Sequence, residues 1–155
     1  MNPAAALLVI VLLVAATTGL GLIWHRRQGR VARRAGASGT VTVSARELGI
    51  DPSVADTSFG DDATLLQFST EFCAKCPGTS TLLRQLADAR TGVRHVDVDL
   101  THRADLARRF NVLQTPTTLV LDGAGRVRAR VGGVPNRAAL NAELDALARA
   151  PRPAG

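Results

Sequence analysis

Tyrosine is absent from this 155-residue sequence, aromatic residues make up 3%, lysine occurs once, at Lys75, and cysteine twice, at Cys73 and Cys76. Each scarcity removes a class of function. Single-stranded nucleic acid is held by basic grooves interleaved with stacking aromatics; no such stripe exists here, so no nucleic-acid partner is expected. A structural zinc site needs four ligands, and two cysteines would have to recruit two more. The histidines, His25, His95 and His102, are scattered, so no metal is expected. No internal repeat is visible.

What is present is aliphatic. Hydrophobic residues make up 46% of the chain, so a core must be built from Leu, Val and Ala, which favours a compact mixed α/β domain. The formal charge of +6 is unevenly placed. Arg26, Arg27, Arg30, Arg33 and Arg34 cluster, whereas from Gly60 onward 13 basic side chains stand against 10 acidic ones. The basic balance belongs mainly to one short segment.

That segment follows residues 4–24 (AAALLVIVLLVAATTGLGLIW), which carry no charge. At ~1.5 Å per helical residue this run crosses a ~30 Å hydrocarbon layer. Trp24 closes it at headgroup level, and His25, Arg26 and Arg27 follow at once. A cleaved secretory signal would want a charged start, a shorter apolar run of about 7–15 residues and a small-residue cleavage site. The sequence therefore predicts an uncleaved anchor over residues 1–25, contacting the membrane through residues 4–24. Arginine retention on the cytoplasmic side predicts a cell-membrane protein whose domain faces the cytoplasm. Residues 26–40 read as a basic flexible linker, 41–150 as the folded domain and 151–155 as a disordered tail.

Within the domain, residues 41–44 are expected to form a short strand, 45–50 a helical turn and 51–62 a loop. Residues 63–70 (ATLLQFST) read as a strand, and Leu82, Leu83 and Leu86 recur at helical spacing up to a stop at Thr91-Gly92. Residues 93–100 alternate as a strand, 104–110 form a short helix, 117–121 and 126–131 are strands across a Gly-containing turn, and Leu140, Leu144 and Leu147 stripe a closing helix. The order is β-α-β-α-β-β-α.

Cys73-Ala74-Lys75-Cys76 thus follows a strand and opens a helix. Thiol-disulfide exchange needs a thiolate, which the free N–H groups and dipole of a helix N-terminus favour. Cys73, at the mouth, is the expected nucleophile, and Cys76, one turn inside, the resolving thiol. Lys75 adds positive charge nearby, against the plainer reading of a solvated first-turn residue. If Ala74 is the first helical residue, Pro77 removes the N–H that would bond back to Cys73 and loosens the first turn.

The segment LLQFSTEFCAKC resembles the strand and active-site segment of thioredoxins, and LQTPTTLVL resembles that family's cis-proline loop. The resemblance covers residues 63–150, with 41–50 as a weaker match to the family's first strand and helix. It implies a thioredoxin-like three-layer α/β fold with a central mixed β-sheet, here preceded by one transmembrane helix, and a thiol-disulfide oxidoreductase. The partners implied are protein disulfide or dithiol substrates and an upstream thiol electron donor, with no cofactor beyond the Cys73–Cys76 disulfide.

Position by position, Cys73 matches the attacking cysteine, Cys76 the resolving one and Pro116, after Thr115, the cis-proline. Gly132 matches a rim glycine, and Phe72 stands where the family usually has Trp. Phe72, Thr115, Pro116 and Gly132 are thereby implied in substrate binding. Gln67 replaces a buried acid that moves the resolving cysteine's proton, which an amide cannot accept. His95 falls near the lysine that partners this acid; it is either a structural strand histidine or a base. The reading is a membrane-tethered reductase of protein disulfides. An extracytoplasmic protein of the cytochrome-maturation type and a non-enzymatic, redox-responsive docking module are the alternatives.

Overall fold

The computed structural model describes residues 2–27, 31–33, 41–50 and 59–149. The elements run α1 (Pro3–Arg27), β1 (Ala32–Arg33), α2 (Ala45–Leu48), β2 (Ala63–Ser69), α3 (Cys76–Asp88), β3 (Val93–Asp99), α4 (Ala104–Arg109), β4 (Thr117–Asp122), β5 (Val127–Gly132) and α5 (Arg137–Arg149). One sheet orders the strands β1-β5-β4-β2-β3. Only β2 and β3 run parallel, joined through α3 as a parallel pair requires; the other neighbours are antiparallel. The mixed sheet and its helical layers have the thioredoxin-like arrangement that the sequence implied.

β2 lies second from one edge, yet all of Ala63 to Phe68 is buried, because helices cover both faces. Leu66 and Phe68 join Leu48, Val96, Val98, Leu106, Phe110, Leu119 and Leu121 on the side of α2 and α4. Leu65 points the other way, to Leu83 and Leu86 of α3, Val120 of β4, and Leu140 and Leu144 of α5. This period-two division of a continuous apolar run is what a strand sandwiched between two helical layers demands. The Phe68 and Phe110 rings stack with centroids 5.3 Å apart, clamping β2 to the end of α4. Arg109 of α4 pairs with Glu47 of α2 at 2.6 Å, closing that layer.

Residues 41–44 do not form the expected strand. They contribute one isolated bridge, Thr42 to Arg126, because Ser44 already serves as the N-cap of α2, accepting from the Glu47 N–H at 3.3 Å. The edge partner of β5 is instead β1, inside the stretch read as linker. Arg26 and Arg27 of that stretch complete α1. Residues 28–30 and 34–40 of the expected linker, 51–58 of the expected loop and the tail 151–155 lie outside the described residues.

Truncating Phe68, which is wholly buried, removes a stacked ring from between β2 and α4. Phe68→Ala should cost about 3–5 kcal/mol. Leu113→Ala, at a side chain 86% exposed, should change stability by no more than about 0.5 kcal/mol. Urea unfolding of the detergent-solubilised chain, followed by far-UV circular dichroism, measures both. Equal effects would contradict the core assignment.

Candidate functional site

The carboxyl end of β2 delivers the chain into a turn, and Cys73 and Cys76 are joined there by a disulfide. Cys73 is half-buried in the turn before α3, with its N–H donating to the Thr70 carbonyl at 3.1 Å. Cys76 is 4% exposed and is the first residue of α3. The two cysteines therefore differ in access: Cys73 is partly open to solvent, while Cys76 is buried.

The helix begins at Cys76, not at Ala74, and this changes the role of Pro77. At the first turn of a helix an N–H has no intrahelical partner, so proline removes nothing there and its fixed φ suits the turn. The turn is intact: Cys76 N–H donates to the Cys73 carbonyl at 3.0 Å and Thr79 N–H to the Lys75 carbonyl at 3.1 Å. The loosening expected from sequence does not occur. Lys75 occupies the N-cap, exposed and without a side-chain capping bond.

The loop before β4 meets the cysteine turn at Thr70. The Thr115–Pro116 bond is cis, and Pro116 is buried. The hydroxyls of Thr70 and Thr115 lie 3.3 Å apart, linking this loop to the cysteine turn. Gly133 N–H donates to the Pro116 carbonyl at 2.8 Å, and Gly132 pairs with Thr117 across β4 and β5. A Cβ at Gly132 would meet the Gln114 side-chain amide at 2.7 Å, so glycine lets that exposed side chain lie across the rim. Thr115, Pro116, Gly132 and the cysteines thus share one edge of the sheet.

Phe72, next to Cys73 in the chain, is 85% exposed. Outside α1, the exposed large apolar side chains among the described residues are Phe72, Leu113 and Val134. Leu113 and Val134 escaped the sequence reading because isolated apolar residues in loops look like core. The available signal was their place in the chain, Leu113 three residues before Pro116 and Val134 directly after Gly133. Thr101 was also missed: its hydroxyl accepts from Glu71 N–H at 3.0 Å and donates to Asp99 at 2.6 Å, tying the cysteine turn to the end of β3.

Beneath the disulfide, Gln67 is fully buried and its Nε2 donates to the Cys76 carbonyl at 3.2 Å. Its Oε1 lies 3.3 Å from His95 Nε2. Burial, and then the nearby Arg84 guanidinium, lower the His95 pKa to about 4, with Asp88 acting in the opposite sense. His95 is neutral near pH 7. Next along β3, burial raises the Asp97 pKa above its ordinary value, opposed by the 2.6 Å hydrogen bond from Ser69.

The sequence matches the family model of Thioredoxin over residues 51–146. It is 30% identical over 92 residues to thioredoxin C-2 of Corynebacterium nephridii, covering 59% of this chain and 84% of that protein. It is 27% identical over 112 residues to the bifunctional thioredoxin reductase/thioredoxin of Mycobacterium leprae. That match takes in 68% of this chain but spans only 24% of the relative's length. Among solved structures, a mutant thioredoxin from Halobacterium salinarum superposes with a TM-score of 0.53 at 19% identity, over 76% of this chain and all of the other; it is similar in fold. The chain belongs to the thioredoxin family and carries a disulfide-forming cysteine pair, Cys73 and Cys76, at the helix start.

Proposed function

We propose that this chain is a membrane-tethered thiol-disulfide oxidoreductase that reduces protein disulfides, with Cys73 attacking and Cys76 resolving. The observation that carries this reading is the unequal exposure of two bonded cysteines at a helix start, in a turn tied to the cis Thr115–Pro116 loop by the Thr70–Thr115 contact. In the dithiol form, the Cys73 thiolate attacks one sulfur of a substrate disulfide. The substrate S–S bond breaks and the departing thiolate takes a proton from solvent. Cys76, after losing its proton, attacks Cys73 Sγ and releases the second substrate sulfur, which is protonated in turn. Two electrons pass to the substrate and the pair closes as Cys73–Cys76. An upstream thiol donor reopens it, and no bound cofactor is called for.

Phe72, Thr115, Pro116 and Gly132 are assigned to holding the substrate segment: Phe72 adjoins Cys73 in the chain, and the loop before β4 is tied to the cysteine turn through Thr70 and Thr115. Tethering rests on α1: Pro3–Ile23 has a mean hydropathy of 2.6 and none of it is buried against the domain. A secretory signal has similar composition, and the arginines that follow favour retention with the domain in the cytoplasm. The chain then divides into an anchor over residues 1–25, a basic linker over 26–40 and the domain over 41–150, with β1 an edge strand borrowed from the linker.

Insulin-type disulfide reduction by the detergent-solubilised chain tests the chemistry. Cys73→Ser should fall to the uncatalysed rate, and Cys76→Ser should accumulate a mixed disulfide visible on non-reducing gels. Turnover by Cys73→Ser equal to wild type would sink the mechanism. Absence of turnover in both proteins would favour the docking module.

Orientation is read separately, on Cys76→Ser after brief treatment of the cells with a membrane-permeant reductant, which frees Cys73 from any mixed disulfide and leaves no internal one to re-form. A membrane-impermeant thiol reagent should modify Cys73 only after lysis. Modification in intact cells would place the domain outside.

A further inference from the structure

The contact under Cys76 has only one consistent assignment of donors and acceptors. A backbone carbonyl can only accept, so the Gln67 atom facing Cys76 must be the NH2 group. Oε1 is thereby turned toward His95, and because a carbonyl oxygen only accepts, His95 Nε2 must carry the hydrogen. Reversing the Gln67 amide would set two oxygens against each other at Cys76.

The other available partner for Gln67 is passed over. Thr118 faces Gln67 across β2 and β4 and is fully buried, yet its hydroxyl has no hydrogen-bond partner among the described residues. The Cys76 carbonyl fixes which way the amide faces, and His95 is the partner that holds its oxygen end. Arg84 and Asp88 of α3 act on His95 electrostatically, with Gln67 on β2 beside it and Asp97 two residues along β3.

We propose that His95 is a positioning residue: through Gln67 it holds the Cys76 carbonyl, and with it the buried sulfur, in line with Cys73, while neither Gln67 nor His95 takes the Cys76 proton. The inference rests on the exchange reaction proposed above. At Nε2 the imidazole has no lone pair to offer, and the amide has no basic site. The Cys76 proton is lost to water, its sulfur then forms the bond to Cys73 Sγ, and the bond from Cys73 to the substrate sulfur breaks.

A base and a positioning donor respond differently to substitution. His95→Leu removes the donor and leaves Gln67 Oε1 without it, which should slow the resolving step about five- to tenfold. The attack step, read as mixed-disulfide formation on a Cys76→Ser background, should slow less. The factor should be the same at every pH from 6 to 9. His95→Gln keeps an N–H donor but no base, and should recover most of the lost rate.

If His95→Gln is as slow as His95→Leu, and both lose an ionisation present in the wild-type pH profile, His95 is a base and the proposal fails. It also fails if His95→Leu resolves as fast as wild type. Should either variant misfold, nitrogen-15 NMR of the wild-type imidazole decides. The Nε2–H tautomer, neutral down to about pH 4, is expected. The Nδ1–H tautomer, or titration near the free value of ~6.5, overturns it.

Linkage supplies the sign of a second pH effect. Below about pH 6.5 the unfolded chain binds a proton that the folded chain refuses, so wild type loses stability as pH falls toward 4. His95→Gln should remove that part of the slope, and an unchanged slope counts against a neutral His95. Failure of wild type to turn over insulin would instead overturn the exchange reaction itself, and the tautomer measurement does not depend on it.

Discussion

Burial of β2 on both faces is the constraint on which the site depends. Leu66 and Phe68 commit one face to α2 and α4, and Ala63 and Leu65 commit the other to α3 and α5, so the strand can neither slide nor tilt without exposing apolar surface. Its carboxyl end fixes where the chain leaves the sheet, and the cysteine turn begins there. The same register points Gln67 toward α3, directly under the Cys76 carbonyl. Pro116 is held by the neighbouring strand, where Phe68 pairs with Thr117. The two halves of the rim are therefore positioned by one strand pair.

A polar side chain inside such a strand must be satisfied, because an unpaired buried amide costs about 1–3 kcal/mol. Gln67 meets this demand with two partners of opposite sense, a carbonyl and an imidazole. An acid in this place would bring an ionisation under Cys76. The amide brings a dipole whose direction does not change with pH, and burial keeps His95 from adding charge.

The periodic parts of the fold were legible. Leu82, Leu83 and Leu86, the alternation from Val93 to Asp99, and the stripe of Leu140, Leu144 and Leu147 each gave the right element within a few residues, since packing against one sheet imposes those periods. The motif around Cys73 and Cys76 and the loop at Pro116 were legible because their chemistry restricts residue type. β1 was not: two residues, Ala32 and Arg33, hold no period, and their pairing with β5 depends on where the sheet edge lies. The start of α3 was misjudged by two residues, and with it the consequence of Pro77. A cysteine motif does not reveal that residues 74 and 75 turn before the helix proper. Exposure of Leu113 and Val134 is likewise a property of three-dimensional position.

The sulfur pair combines two opposed demands. Under the proposed exchange reaction Cys73 must be reachable, which its half-burial before the first turn of α3 supplies. Cys76 must strike Cys73 and nothing else, which its burial supplies, but burial also limits its contact with the water that must take its proton. An acid beneath it would relieve that conflict by drawing off the proton. Gln67 does not, so under the positioning role proposed for His95 the conflict is met by geometry. In that role Cys76 is held in line with Cys73, and the lifetime of the mixed disulfide follows solvent pH rather than the state of a protein base.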